Sequence, residues 1–142
     1  MKNKFYSAKK LFVRAEVTKV SELQTNTKQH NYGRWASTIK SYLVSTDNGT
    51  LMRVQSDGTN VYVEYYDSEY NVIAYNQIPT ELPIFGGFYE GSDAYYLVTG
   101  QSNNNELADV ECYRITKYDK NWNRIGSAGL YDCNTFLPFR EV

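Results

Sequence analysis

"KYDKNWNRIG" occupies residues 117–126, and "YYDSEYNVIA" occupies residues 65–74. At one constant offset, Tyr66, Asp67, Asn71 and Ile73 recur as Tyr118, Asp119, Asn123 and Ile125, and Tyr70 is answered by a second large aromatic, Trp122. The phrase begins inside an alternating run, passes through an aspartate and polar residues, and re-enters an apolar run. An aspartate at such a place can accept hydrogen bonds from backbone amides ahead of it and so fix a turn. The repeated phrase therefore predicts the same strand–turn–strand corner made twice, with Tyr70 and Trp122 covering the end of a neighbouring unit. The functional alternative is a calcium or sugar site at each aspartate.

Working outward, each corner closes a set of four short runs. In the first set "SYLVST" (41–46) precedes "DNG", a strong hairpin signal. "TLMRVQ" (50–55) precedes "SDGTN", "VYVEYY" (61–66) precedes the first aspartate turn, and "NVIAYNQI" (71–78) leads to the proline-bounded "PTELP". In the second set "IFGGFYEG" (84–91), "AYYLVTGQ" (94–101), "DVECYRITKY" (109–118) and "NRIGSAGL" (123–130) follow the same plan. The offset is 44 early, from Val54 to Val98, and 52 later, from Asp67 to Asp119. The difference lies in the longer loop "SNNNELA", and an insertion there is cheap because it leaves every strand face in place.

Short turns between successive strands predict antiparallel neighbours. In "VYVEYY", Val61, Val63 and Tyr65 take one face and Tyr62 and Tyr66 the other. In "CYRITKY", Tyr113 and Ile115 oppose Cys112 and Tyr118. Bulk on both faces suits a sheet packed on both sides. A four-stranded unit recurring at about fifty residues is a β-propeller signature. The predicted fold class is all-β: about two four-stranded antiparallel β-propeller-like blades plus an N-terminal strand, with a β-sandwich as the alternative. Residues 1–36 are read as an N-terminal strand, near Val13 to Val17, and a polar loop. The first blade is 37–83, the second 84–135, and 136–142 start a further blade or an edge strand.

The phrases "ELPIFGGFYEGSDAYYLVTGQSNNNE", "RITKYDKNWNRIGSA" and "NTFLPF" resemble the tandem β-propeller-like blade repeats of large secreted or surface proteins of Gram-positive anaerobic bacteria. The resemblance runs from about Ser41 to the end. It implies a secreted or cell-surface location and a propeller-like fold, and it carries no catalytic motif. The start "MKNKFYSAKK" has no apolar stretch of the signal-peptide kind. Closed propellers need four or more blades, so two blades predict a piece of a longer chain or self-association, such as three chains closing a six-bladed ring.

Net charge is −1, with both signs scattered, and no basic stripe for nucleic acid is present. No apolar run reaches membrane-spanning length. Cys112 and Cys133 have no Cys/His cluster around them, so no metal is expected. If Asp119 and Trp122 flank a tight turn, Cys112 lies opposite Gly129 and Cys133 is too far on to bridge it; two thiols are expected. His30, the only histidine, sits in a polar loop without a nucleophile motif. The carboxylate pairs Glu90 with Asp93 and Glu106 with Asp109 fall in or beside turns. Gly86 and Gly87 precede no helix, so they read as a bulge or a close packing point and not as a phosphate loop. The chain is therefore read as non-enzymatic, without a cofactor.

Binding is the expected role, with carbohydrate the leading ligand class and a surface protein the next; a scaffold or truncated propeller without its own ligand is the alternative. In a propeller, the loops joining second to third and fourth to first strands share one end. Here they supply Asp57, Asn60, Gln77, Glu81, Gln101, Asn103, Asn105, Asp132 and Asn134, whose amides and carboxylates can pair with sugar hydroxyls. Trp35 beside Tyr32 adds an aromatic platform.

Overall fold

The computed structural model describes residues 41–133 and 137–139. Expectations on Trp35, Tyr32, His30, Asn134 and the N-terminal strand lie outside the described residues. The chain is all-β, with no helix among the described residues. Strands β1 (Ser41–Ser45), β2 (Leu51–Ser56), β3 (Asn60–Tyr66) and β4 (Val72–Pro79) form one sheet. Strands β5 (Ile84–Glu90), β6 (Tyr95–Gly100), β7 (Tyr113–Tyr118) and β8 (Arg124–Leu130) form the other. Each sheet runs in sequence order, β1-β2-β3-β4 and β5-β6-β7-β8, with every pair antiparallel. The short turns leave no room for a crossover, so sequential neighbours pair. The run read as one strand over 109–118 is a strand only from Tyr113, because Asp109 to Cys112 close the long loop.

The two aspartate turns are built alike. Asp67 Oδ1 accepts from the amides of Glu69 at 2.8 Å and Asn71 at 2.9 Å, and Asp119 Oδ1 accepts from those of Asn121 and Asn123 at 2.8 Å each. The Asn71 and Asn123 side-chain amides donate back to the same carboxylates. Tyr70 and Trp122 sit at φ 64° and 65°. An L-residue there costs about 1–2 kcal/mol, which the bonds around each aspartate offset. These same bonds hold both carboxyls below the usual carboxylate range: at Asp67 the backbone amide of Asn71 leads, at Asp119 the side chain of Asn123.

Alternation gives each sheet two faces. The front of the first carries Met52, Val54, Val61 and Val63, all at 0% exposure. They pack on the back of the second, where Phe85, Phe88, Tyr95, Leu97, Tyr118 and Trp122 complete one core. Tyr42 meets Phe85 and Phe88 edge-on, with centroids 6.4 and 5.7 Å apart. Trp122 stacks on Tyr95 at 4.6 Å and donates its indole N–H to the Tyr65 hydroxyl at 3.0 Å. Burial pushes the Tyr95 hydroxyl up to about 12. Trp122 thus covers the neighbouring sheet as predicted, whereas Tyr70 stands 60% exposed.

The first sheet is buried on both faces at its centre, with Gln55 at 1% and Glu64 at 3% exposure behind Val54 and Val63, whereas the second, among the described residues, is not. β8 is largely exposed, and the front of the second sheet carries Ile115 at 40% and Tyr89 at 65% exposure. The expected register of β7 and β8 also needs correction. The turn closes from Asp119 to Asn123 and not to Trp122, and a bulge at Lys117/Tyr118 adds a second residue of shift, so that Arg114, and not Cys112, lies opposite Gly129. The Cys112 amide instead donates to the Leu130 carbonyl. Both cysteines are free, and the Cys112 thiol points to the Cys133 carbonyl at 3.7 Å.

Gly86 and Gly87 serve as both a bulge and a packing point. The β5–β6 register shifts between Phe85 and Gly87. A Cβ on Gly86 would overlap the Phe139 ring, and one on Gly87 would lie 3.1 Å from the Tyr42 hydroxyl.

Candidate functional site

The β2–β3 turn and the connector between the sheets are tied together, and so are the β6–β7 loop and the segment after β8. The Thr80 hydroxyl and amide both donate to the Thr59 carbonyl, joining the connector to the β2–β3 turn. The Asp132 amide donates to the Ala108 carbonyl, joining the chain after β8 to the β6–β7 loop. Of the described residues singled out for binding, these loops hold Asp57, Glu81, Gln101, Asn103, Asn105 and Asp132; Asn60 opens β3 and Gln77 lies in β4.

Several of those side chains already have partners within the chain. Asp57 Oδ1 accepts from the amides of Thr59 and Asn60 at 2.8 Å each, and Oδ2 accepts from the Tyr62 hydroxyl at 3.1 Å. Burial, then this bond to Asp57, pushes the Tyr62 hydroxyl up. Asn103, 3% exposed, closes the β6–β7 loop on itself. Its Oδ1 accepts from the Leu107 amide at 3.0 Å and its Nδ2 donates to the Leu107 carbonyl at 2.9 Å. Gln101 donates to the Glu111 carbonyl at 2.7 Å. These residues brace the loops. Gln77, Asn105 and Asp132 are exposed and Asn60 is half-buried.

Glu81 is the electrostatic centre of the connector. Its carboxylate accepts from Arg124 Nε at 2.6 Å and Nη2 at 3.0 Å, and from Arg114 Nη1 at 3.1 Å. Arg114 also donates from Nε to Glu111 at 2.8 Å and forms a second bond to it through Nη2. Two carboxylates thus meet two guanidiniums. The bonds from Arg124, then Arg114, hold the Glu81 carboxyl below its usual range, and Arg114 does the same for Glu111. Sequence reading named Glu81 but missed its partners, because they lie 33 and 43 residues further along the chain.

The acid pairs weighed for catalysis lie apart from these loops or open to solvent. Glu90 pairs with Lys120 at 3.1 Å and Asp93 with Lys117 at 3.3 Å, while Glu106 and Asp109 are exposed. No group of three or more His, Cys, Asp or Glu side chains that could hold a metal is found among the described residues. No helix among them is long and apolar enough to cross a membrane. Tyr131, 54% exposed beside Asp132, opens the loop after β8 and was not among the residues singled out from the sequence, where the polar side chains of that loop drew the reading.

No protein-family model, no curated protein and no solved structure matches the chain.

Proposed function

We propose that the chain is a non-enzymatic extracellular binding module built from two propeller-like blades, with carbohydrate as its ligand class. The extracellular setting rests on the resemblance to blade repeats of secreted proteins. The blade reading is supported by the way the sheets stack. A β-sandwich buries two inner faces and turns two outer faces to water. Here the front of one sheet meets the back of the next, and the front of the second sheet remains apolar, as in a series that continues in one direction.

The observation that carries the binding reading is the bracing of the loop cluster. Asn103 and Gln101 fix the β6–β7 loop from within, and the Asp132 amide ties it to the segment after β8. Asn105, Asp132 and Tyr131 are thereby displayed on a framework that need not be ordered on binding, which lowers the entropic cost of capture. Amide and carboxylate groups beside an exposed aromatic ring suit the hydroxyls and apolar faces of a sugar.

A glycan array followed by calorimetry on the best ligand tests the reading. Binding that falls about tenfold or more in an Asn105→Ala, Asp132→Ala double variant is the expected result, corresponding to two lost hydrogen bonds of ordinary strength. A folded protein that binds no glycan on the array, or one whose binding is unchanged in the double variant, would overturn it.

A further inference from the structure

The fold brings together two thiols that an ideal hairpin would keep apart. The Cys112 amide donates to the Leu130 carbonyl at 2.9 Å, just beyond the Tyr113–Leu130 pair that ends the β7–β8 ladder. Cys112 therefore stands opposite Tyr131. A strand that ran on from β8 would carry Cys133 two residues past that point, out of reach of a bridge. The chain does not run on. Asp132 takes the left-handed conformation at φ 55°, and its amide donates to the Ala108 carbonyl at 3.2 Å. The turn places the Cys133 carbonyl 3.7 Å from the Cys112 thiol. The two thiols also meet: burial, then the hydrogen bond with the Cys112 thiol, pushes the Cys133 thiol up.

The two positions differ in access. Cys112 is fully buried, and Cys133 is half-buried. The Cys112 sulfur receives the Asn103 side-chain amide at 3.6 Å and lies 3.6 Å from the Val110 carbonyl. The Cys133 thiol reaches the Tyr131 carbonyl at 3.5 Å. Sulfur is a weak donor and a weak acceptor, so little is lost when these contacts give way to a covalent bond. The backbone around the pair is already held from two sides, by the bond from Cys112 to Leu130 and by that from Asp132 to Ala108.

We propose that Cys112 and Cys133 are an oxidation site, closed to a disulfide by a small-molecule disulfide such as oxidised glutathione, and that the bridge staples the end of the β6–β7 loop to the segment after β8. Cys133, the accessible partner, reacts first. Its thiolate attacks one sulfur of the oxidant and expels one glutathione thiolate, leaving a mixed disulfide on Cys133. The Cys112 thiolate then attacks the Cys133 sulfur and expels the second glutathione. Two electrons and two protons pass from the protein to the oxidant, which leaves as two thiols. The bridge closes residues 112–133, the whole β7–β8 hairpin, into one loop and so restricts the unfolded chain. It also fixes from outside the loop that Asn103 fixes from within. An oxidising setting keeps such a bridge, and a reducing one returns the two thiols.

This inference rests on the geometry of the two cysteines and not on the carbohydrate reading. The folded, reduced full chain is incubated in glutathione buffers from reducing to oxidising, quenched by alkylation and weighed by intact mass spectrometry. In the oxidising buffers the expected product is a single chain lighter by two hydrogen atoms, with neither cysteine alkylated. Its melting temperature should lie about 5–10 °C above that of the reduced chain. A Cys133→Ser variant should melt like the reduced parent and gain nothing from the oxidant. Two alkylated cysteines throughout the series, a reaction that stops at a glutathione adduct, or a bond between two chains each overturn the proposal. So does a bridged chain that melts no higher than the reduced one. Glycan binding is measured on the reduced and oxidised chains separately. A bridge without glycan binding sinks the carbohydrate reading alone, and glycan binding without a bridge sinks this one alone.

Discussion

Trp122 and Tyr70 sit at corresponding places in two turns with the same aspartate, the same amide bonds and nearly the same φ. One is 8% exposed and joins two sheets; the other is 60% exposed. The turn itself therefore does not decide what its aromatic residue does. It projects a large ring beyond the sheet edge at a fixed angle, and the energy comes from whatever stands there. For Trp122 that is Tyr95, Phe88, Tyr118 and the Tyr65 hydroxyl.

The largest expected effect separates the two rings directly. Trp122→Ala should destabilise the chain by about 3–5 kcal/mol, the usual cost of deleting a large buried aromatic side chain. Tyr70→Ala in dilute single chains should stay within about 0.5 kcal/mol. Urea titrations of both variants under the same conditions check this, and equal losses would mean that the turn, and not the packing, dominates.

A finer cut removes only the polar contact. Tyr65→Phe leaves the Trp122 indole N–H without its acceptor and should cost about 1 kcal/mol. In a Trp122→Phe background the same substitution should be close to neutral. A double-mutant cycle gives the coupling, and a coupling near zero would show that the bond contributes nothing beyond the packing.

The smallest effect is read in acid. Asp67, Asp119, Glu81 and Glu111 all have carboxyls held below their usual range in the folded chain. A lowered folded pKa gives stability that is complete above the unfolded carboxylate value and lost as pH falls through the folded value. The melting temperature should therefore fall on acidification below the ordinary carboxylate range. Replacing both turn aspartates by alanine should lower the neutral-pH melting temperature and flatten that fall. Melts from neutral to acid pH check the sign; a double variant with the parent's slope would show that Glu81 and Glu111 alone set the acid limit.

Much of the fold was legible because its determinants are local. Asp67 and Asp119 announce their turns, and the alternation of Val61, Val63 and Tyr65 assigns a face. What the residues did not reveal depends on single-residue irregularities and on distance along the chain. The bulges at Tyr65/Tyr66 and Lys117/Tyr118 change which residues lie opposite one another without altering composition. The second bulge, together with a turn that closes on Asn123 and not on Trp122, is why Cys112 was expected opposite Gly129. For the candidate site, the loops could be named, but the role of each polar residue could not. An asparagine that braces a loop, such as Asn103, and one displayed by it, such as Asn105, are the same residue type in the same short stretch.

The strictly sequential strand order has a kinetic consequence. Within each sheet every strand pairs with its neighbour in the chain, so forming either sheet closes only local loops, the longest being that between β6 and β7, and the entropy lost before contacts form is small. The distant partners are on the faces, where residues of β2 and β3 meet those of β5 to β7. The two sheets can thus form early and independently, and the slow step in folding becomes their docking. That step is complete only when the indole of the second turn reaches across to the first sheet.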